Sequence, residues 1–230
     1  MSVIRDFSPD LIKDIPVGVI LRMSGYQDIA KADQRVISTT AELIKLAREI
    51  ARPAVLYQKT PCQVEPDRII ILPAQEFTGK KLLQRVQGCD GLVVAVLTLG
   101  QQIEDKSRQM LSGEVFAAYL FDVMSSYLVE MIAEIFWQQL KNELNRQGLK
   151  VTSFISPGSK DFPLTAQKTI FEILRPENKL GLHLSDTYLI EPTKSLTAIM
   201  GYGKRIEEAA KSHNCADCER SGCMLRGIHR

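Results

Sequence analysis

The stretch from Glu114 to Asn145 constrains the fold most. Phe116, Leu120, Met124, Leu128, Ile132, Phe136, Leu140 and Leu144 recur through it every four residues, the spacing that lines one face of an α-helix. Its first half is apolar nearly all round, so a helix there must run through the interior of a fold. Ser112 is placed to cap its start and Gly148 to mark its end.

A core helix needs a sheet to cover. Leu92-Val93-Val94-Ala95-Val96-Leu97-Thr98-Leu99 lacks polar alternation and is rich in β-branched residues, which predicts a central strand buried on both faces and stopped at Gly100. From Asp33, apolar residues recur at helical spacing until Arg52-Pro53 breaks the pattern, because proline cannot continue a helix. Further strands are expected at Ala54 to Gln58 and Arg68 to Leu72, separated by turns at Pro61 and Pro66, and at Lys150 to Ser156, Asp186 to Ile190 and Leu196 to Met200. Short helices are expected at Lys80 to Val86, at Asp161 to Arg175, and in the charged segment after Gly203, where Lys204 can meet Glu208. Strands and helices do not alternate strictly, so the pattern predicts an α+β fold with a largely antiparallel sheet. The expected division is one domain over residues 1–211 and a cysteine-containing tail over 212–230.

Composition narrows the function classes. Lys and Arg number 29 against 27 Asp and Glu, a net charge of +2, and no dense basic run with interleaved aromatics is present to grip phosphates, so nucleic acid is not an expected partner. The apolar runs Leu92 to Leu99 and Val115 to Phe121 fall short of the roughly 20 residues that span a bilayer, so no membrane association is expected. Met1 to Asp6 has neither a signal-peptide nor a transit-peptide pattern, which predicts a cytoplasmic protein. Five cysteines without an export signal favour reduced thiols. Cys62 and Cys89 are expected as small buried hydrophobes.

Ser156-Pro157-Gly158-Ser159-Lys160-Asp161-Phe162-Pro163-Leu164 lies between an expected strand and an expected helix. One reading is local: Pro-Gly makes a turn and Asp161 caps the helix. The other is that a glycine-containing loop feeding a helix start lets a ligand approach the backbone and meet its amides.

The wider pattern bears on that choice. Pro157-Gly158, Pro163-Leu164-x-x-Gln167, Ile170-Phe171-Glu172-x-Leu174, Gly181-x-x-Leu184 and Pro192-x-Lys194-Ser195 with Gly201 together resemble the activation domain of cobalamin-dependent methionine synthase, and especially its stand-alone relatives. The motif core covers about Ser156 to Gly201. The resemblance implies an α+β fold with a bent antiparallel sheet, a long central helix and flanking helices, and S-adenosylmethionine bound beside the proline-glycine loop. The implied role is reactivation, in which a corrinoid oxidised to Co(II) on a methionine synthase or another corrinoid-binding protein takes one electron from a donor and is remethylated from the sulfonium. The implied chemistry is the cobalt's, and the protein's part is positioning, so no catalytic acid or base is expected. The binding residues implied are Ser156, Pro157 and Gly158, with Asp161 and Pro163 shaping the loop and Lys194 and Ser195 nearby. Glu130 either faces the positive sulfonium or is a solvated or intrahelically paired glutamate.

The chain departs from the family where an arginine usually stands three residues before the loop proline and an aromatic just after its glycine. Those positions are Phe154 and Ser159. Phenylalanine cannot pair with a carboxylate, a loss of about 1.5–3 kcal/mol, or roughly ten- to a hundredfold in affinity. Lys160 is a candidate replacement. This keeps a second function class open, a non-enzymatic module that binds a corrinoid protein without the nucleoside.

Cys215-x-x-Cys218 with Cys223 puts three thiols in nine residues. Such thiolates suit zinc, with His213 or His229 as a fourth ligand, or an iron–sulfur cluster, and a flexible tail with free thiols is the alternative. A metal-bearing redox accessory is the third function class.

Overall fold

The structure, a computed structural model, describes residues 2–12, 15–71, 75–159 and 161–212. In chain order the strands and helices are β1 (Val3–Asp6), α1 (Val17–Met23), α2 (Gln34–Ile50), β2 (Ala54–Val64), β3 (Arg68–Ile71), β4 (Gln75–Thr78), α3 (Lys80–Val86), β5 (Gly91–Thr98), α4 (Gln101–Leu111), α5 (Val115–Arg146), β6 (Lys150–Val151), α6 (Ala166–Leu174), α7 (Glu177–Leu180), β7 (His183–Leu184), β8 (Ile190–Glu191) and β9 (Ser195–Gly203). The main sheet runs β4-β3-β2-β5-β9-β6, with β1 added beside β2, and every pairing in it is antiparallel. The α+β architecture with a curled antiparallel sheet and a long central helix is therefore present.

β5 is central, with Ala95 opposite Tyr57 of β2 on one side and Ala198 of β9 on the other. All eight of its residues are buried, because Val93, Ala95 and Leu97 face the core under α2, α4 and α5 while Leu92, Val94 and Val96 face a second core with α3 and α6. A strand covered on both faces has no need of polar alternation, which is why this run is apolar throughout.

α5 is long and apolar enough to cross a membrane by length and composition, yet here its apolar side chains fill the core. Leu120, Met124, Leu128, Ile132, Leu140 and Leu144 are fully buried, each burial contributing about 1.5–3 kcal/mol. Phe116, expected on the same face, is exposed together with Val115 and Tyr119, since Ala117 and Ala118 are the residues of this turn that face the core. Trp137 packs beneath β6 and donates its indole N–H to the Thr152 carbonyl at 2.9 Å.

Several local expectations are corrected. Ser112 ends α4, its amide bonded to the Gln109 carbonyl, while Glu114 takes the N-cap of α5 without a side-chain bond. α4 itself is not announced by the pattern, because only Ile103, Glu104 and Met110 of it are buried. Pro61 lies inside β2, opposite Gly91, and not in a turn. It falls between the residues that pair with β1 (up to Tyr57) and those that pair with β3 (from Cys62) on the other edge, a gap where a missing N–H costs little. The strand expected to reach Ser156 is only Lys150–Val151, continued by a Thr152 amide bond to Gly201 O and an Ile155–Ile199 bridge. Of the strand expected from Asp186 to Ile190, residues 186–188 are the turn of a hairpin and only Ile190 lies in its second arm, β8, paired with β7. Residues 204–212 form bends, not a helix. There Glu208 pairs with Lys141 of α5 at 3.4 Å, not with Lys204, and the Ala209 amide bonds Val151 O, so the segment straps across the end of the sheet.

Cys89 is buried and Cys62 half-buried, and burial first, then nearby negative groups, push their thiols up to about 12 and about 11. Both behave as the expected core-type cysteines.

Candidate functional site

After Ile155 the chain leaves the sheet and turns at Pro157-Gly158. Gly158 adopts φ +85°, a conformation glycine takes without strain. The loop is closed by its own backbone: Gly158 N–H donates to Phe162 O (2.9 Å), Ser159 N–H to Ser156 O (3.2 Å) and Phe162 N–H to Ser159 O (2.9 Å). Ser159 Oγ donates to the same Ser156 carbonyl at 2.6 Å. The expected presentation of free amides is thus not found at Gly158, Ser159 or Phe162. What the loop offers is a fixed shape with Gly158 exposed at its tip.

Two long-range contacts hold that shape. Phe162 is buried and meets Phe77 of β4 edge-on, ring centroids 6.2 Å apart. Gly79, at φ +132°, packs so closely that a Cβ there would lie 2.4 Å from Asp161 O. Asp161, expected as a helix cap, is exposed at φ 60° and caps nothing: α6 starts at Ala166 with Thr165 at its N-cap. Pro163 is the reason, since the residue before a proline is driven out of the helical region. Lys160 lies outside the described residues.

Gln167 carries a role that its place in the motif hinted at without explaining. Its buried Oε1 accepts from Thr197 Oγ1 at 2.8 Å, tying the first turn of α6 to β9.

The other candidates lie along α5. Lys194, just before β9, reaches the helix with its ammonium 2.6 Å from Asp122 Oδ1 and 3.0 Å from Ser126 Oγ. Two turns beyond Ser126, Glu134 accepts from Ser212 Oγ, while the Ser212 carbonyl takes the Phe154 amide at 2.9 Å. Asp122, Ser126, Glu130 and Glu134 are spaced four apart and share one stripe of the helix. Glu130 therefore stands one turn from the Lys194 contact and one turn from the Phe154–Ser212 contact. It is half-buried, burial raises its carboxyl above the usual range, and it has no ion-pair partner among the described residues. No intrahelical ion pair is observed for it among the described residues.

Phe154 is buried in the helix-side core. Ser195 is engaged structurally, its Oγ 2.7 Å from Pro192 O and 2.9 Å from Thr98 Oγ1, which fixes the start of β9 to the end of β5. The structure thus brings Lys194 and Glu130 onto one helix stripe, while Ser195 serves the scaffold.

This architecture is a known one. A crystal structure of the MetH reactivation domain bound to AdoHcy is similar to this chain at a TM-score of 0.62, with 15% sequence identity, over 91% of this chain and 80% of that one. The fold is the reactivation-domain fold. No protein-family model and no curated protein sequence matches the chain.

Beside the Pro157-Gly158 loop, an open cleft of about 1240 Å³ separates α3 from residues 206–211 and is floored by Thr152 and Ser153. It meets the loop at Asp161 and carries Lys80, Lys81 and Arg85 on one wall and Glu207 and Glu208 on the other. Its walls are about 125 residues apart in sequence, so no local pattern signals it. Cys215, Cys218 and Cys223, with His213 and His229, lie outside the described residues. Among the described residues no group of three or more His, Cys, Asp or Glu is placed to hold a metal.

Proposed function

We propose that this chain is a reactivation component for a corrinoid-dependent methyltransferase of the methionine synthase type, presenting S-adenosylmethionine to a Co(II) corrinoid carried by a partner protein. The observation that carries the proposal is the shared fold with a domain that binds AdoHcy, the demethylated product of that donor. When bound, S-adenosylmethionine supplies an electrophilic methyl group, and the corrinoid with its electron donor supplies the rest of the chemistry.

The residues present fit such a ligand. Its amino-acid end is zwitterionic and its sulfur cationic; Lys194, reaching the α5 stripe from just before β9, offers an ammonium, and Glu130 on that stripe offers a carboxylate with no ion-pair partner among the described residues. A half-buried carboxylate without a cation is destabilised, and a sulfonium arriving beside it restores its charge balance. The loop Ser156, Pro157 and Gly158, made rigid by Phe162 and Gly79, supplies a surface without a Cβ at its tip. Asp161 and Pro163 shape it. These groups bind and orient, and no protein proton transfer is needed.

The test is calorimetric titration of the full chain with S-adenosylmethionine and AdoHcy, followed by remethylation of a methionine synthase corrinoid domain in trans with a chemical one-electron reductant. Saturable binding and a return of the methyl-corrinoid spectrum support the proposal. Absence of heat at millimolar ligand sinks it and leaves the reading of a corrinoid-protein module that works without the nucleoside, which Phe154 and Ser159 favour.

The metal-bearing redox accessory rests on Cys215, Cys218 and Cys223, which lie outside the described residues. Anaerobic purification with zinc and iron analysis tests it, and colourless, metal-free protein removes it.

A further inference from the structure

We infer that Lys194 receives the carboxylate of the ligand's amino-acid end, and that Asp122 is the place-holder which a ligand carboxylate displaces. This rests on the proposed binding of S-adenosylmethionine or AdoHcy and assigns the contact that Phe154 cannot make.

The two partners of this ion pair are unlike. The Lys194 side chain is 13% exposed and that of Asp122 is 56% exposed. A mostly buried ammonium needs an anion beside it, because its hydration has already been lost. An exposed carboxylate needs no cation, because water solvates it nearly as well. Exchange of Asp122 for another carboxylate therefore leaves Lys194 paired and returns Asp122 to water. Of the three ammonium donors, Asp122 Oδ1 and Ser126 Oγ occupy two, so the exchange leaves Ser126 in place as the second partner.

Lys194 is also rooted on both sides. The Thr193 amide donates to the buried Glu104 carboxylate, and Ser195 is fixed at Thr98 and Pro192. The ammonium is thus held in place before any ligand arrives, which lowers the ordering cost of binding. With a carboxylate on Lys194 and Ser126, the cationic groups of the same ligand lie toward Glu130, about 6 Å further along α5 at one helical turn. Opposite charges on the protein match opposite charges on the ligand in the same order.

The experiment compares AdoHcy, which carries the carboxylate, with 5′-methylthioadenosine, which lacks it, by calorimetry on the full chain. Lys194→Met keeps the packing of the stem and removes the charge. It is expected to weaken AdoHcy about ten- to a hundredfold while leaving 5′-methylthioadenosine unchanged. Asp122→Asn is expected to tighten AdoHcy by up to about fivefold, since an exposed competitor is a weak one. This second variant decides the matter if Lys194→Met fails to fold. Equal loss of both ligands in Lys194→Met, weakening of AdoHcy by Asp122→Asn, or a loss that appears in Lys160→Met instead would each overturn the inference and leave the proposed function standing. Failure of the wild-type chain to bind either compound overturns both.

Discussion

Replacing Gly79 by alanine tests whether the loop is held from a distance. Gly79 sits between β4 and α3 at φ +132°, and a Cβ there would lie 2.4 Å from Asp161 O and 3.2 Å from Phe162 Cα. Both obstacles are backbone, so no side chain can swing aside. The conformational strain alone is on the order of 1–3 kcal/mol, and the clash adds to it unless the loop moves. A total near 2–4 kcal/mol lowers the thermal midpoint of a chain this size by roughly 4–16 °C. Gly113→Ala is the control, since a Cβ there meets nothing within 4 Å and its backbone is unstrained for an L-residue. It is expected within about 0.5 kcal/mol of wild type. Thermal unfolding by circular dichroism measures both, and AdoHcy titration reads the loop: Gly79→Ala is expected to lose affinity as well as stability. Equal midpoints for the two alanine variants would refute the claim that the β4–α3 junction positions the loop.

Three other outcomes follow from the same structure. Burial raises the Glu130 carboxyl, so the folded state prefers it neutral; that stability is fully present below the unfolded value and lost as pH rises through the folded one. Glu130→Gln should therefore match wild type near pH 4 and melt higher at pH 8, and a difference of the opposite sign would contradict the assignment. Gln167→Leu leaves the buried Thr197 hydroxyl without its acceptor, a cost of about 1–3 kcal/mol in chemical denaturation, and Gln167→Leu with Thr197→Val should recover part of it. Cys62 and Cys89, with thiols pushed up to about 11 and about 12, should label slowly with a maleimide at pH 8 in the native protein and quickly in urea, as peptide mapping resolves.

Elements whose burial is periodic were legible from residues alone. α2 follows from the helical spacing of its apolar residues and the Pro53 stop, β5 from an unbroken apolar run, and α5 from its four-residue recurrence. α4 escaped because it buries too thin a stripe to stand out, and Pro61 misled because a proline at a gap between two edge partners looks, in sequence, like a turn. The site divides in the same way. The loop was visible as Pro157-Gly158, yet its clamp by Phe77 and Gly79 was not, since partners more than 80 residues apart leave no mark in a local window. Lys194 was visible as a motif residue, while its pairing with Asp122 arises only from the packing of β9 against α5.

Trp137 is the chain's single tryptophan, and its surroundings make it an optical gauge of this side of the protein. It is almost wholly shielded from water, and the Lys141 ammonium stands 5.1 Å from its ring centroid. That same ammonium is held by Ala209 O and Glu208 of the strap. Any event that lifts the strap withdraws a positive charge from above the indole and shifts its emission, so ligand arrival or partner docking at this end can be followed by intrinsic fluorescence without a label.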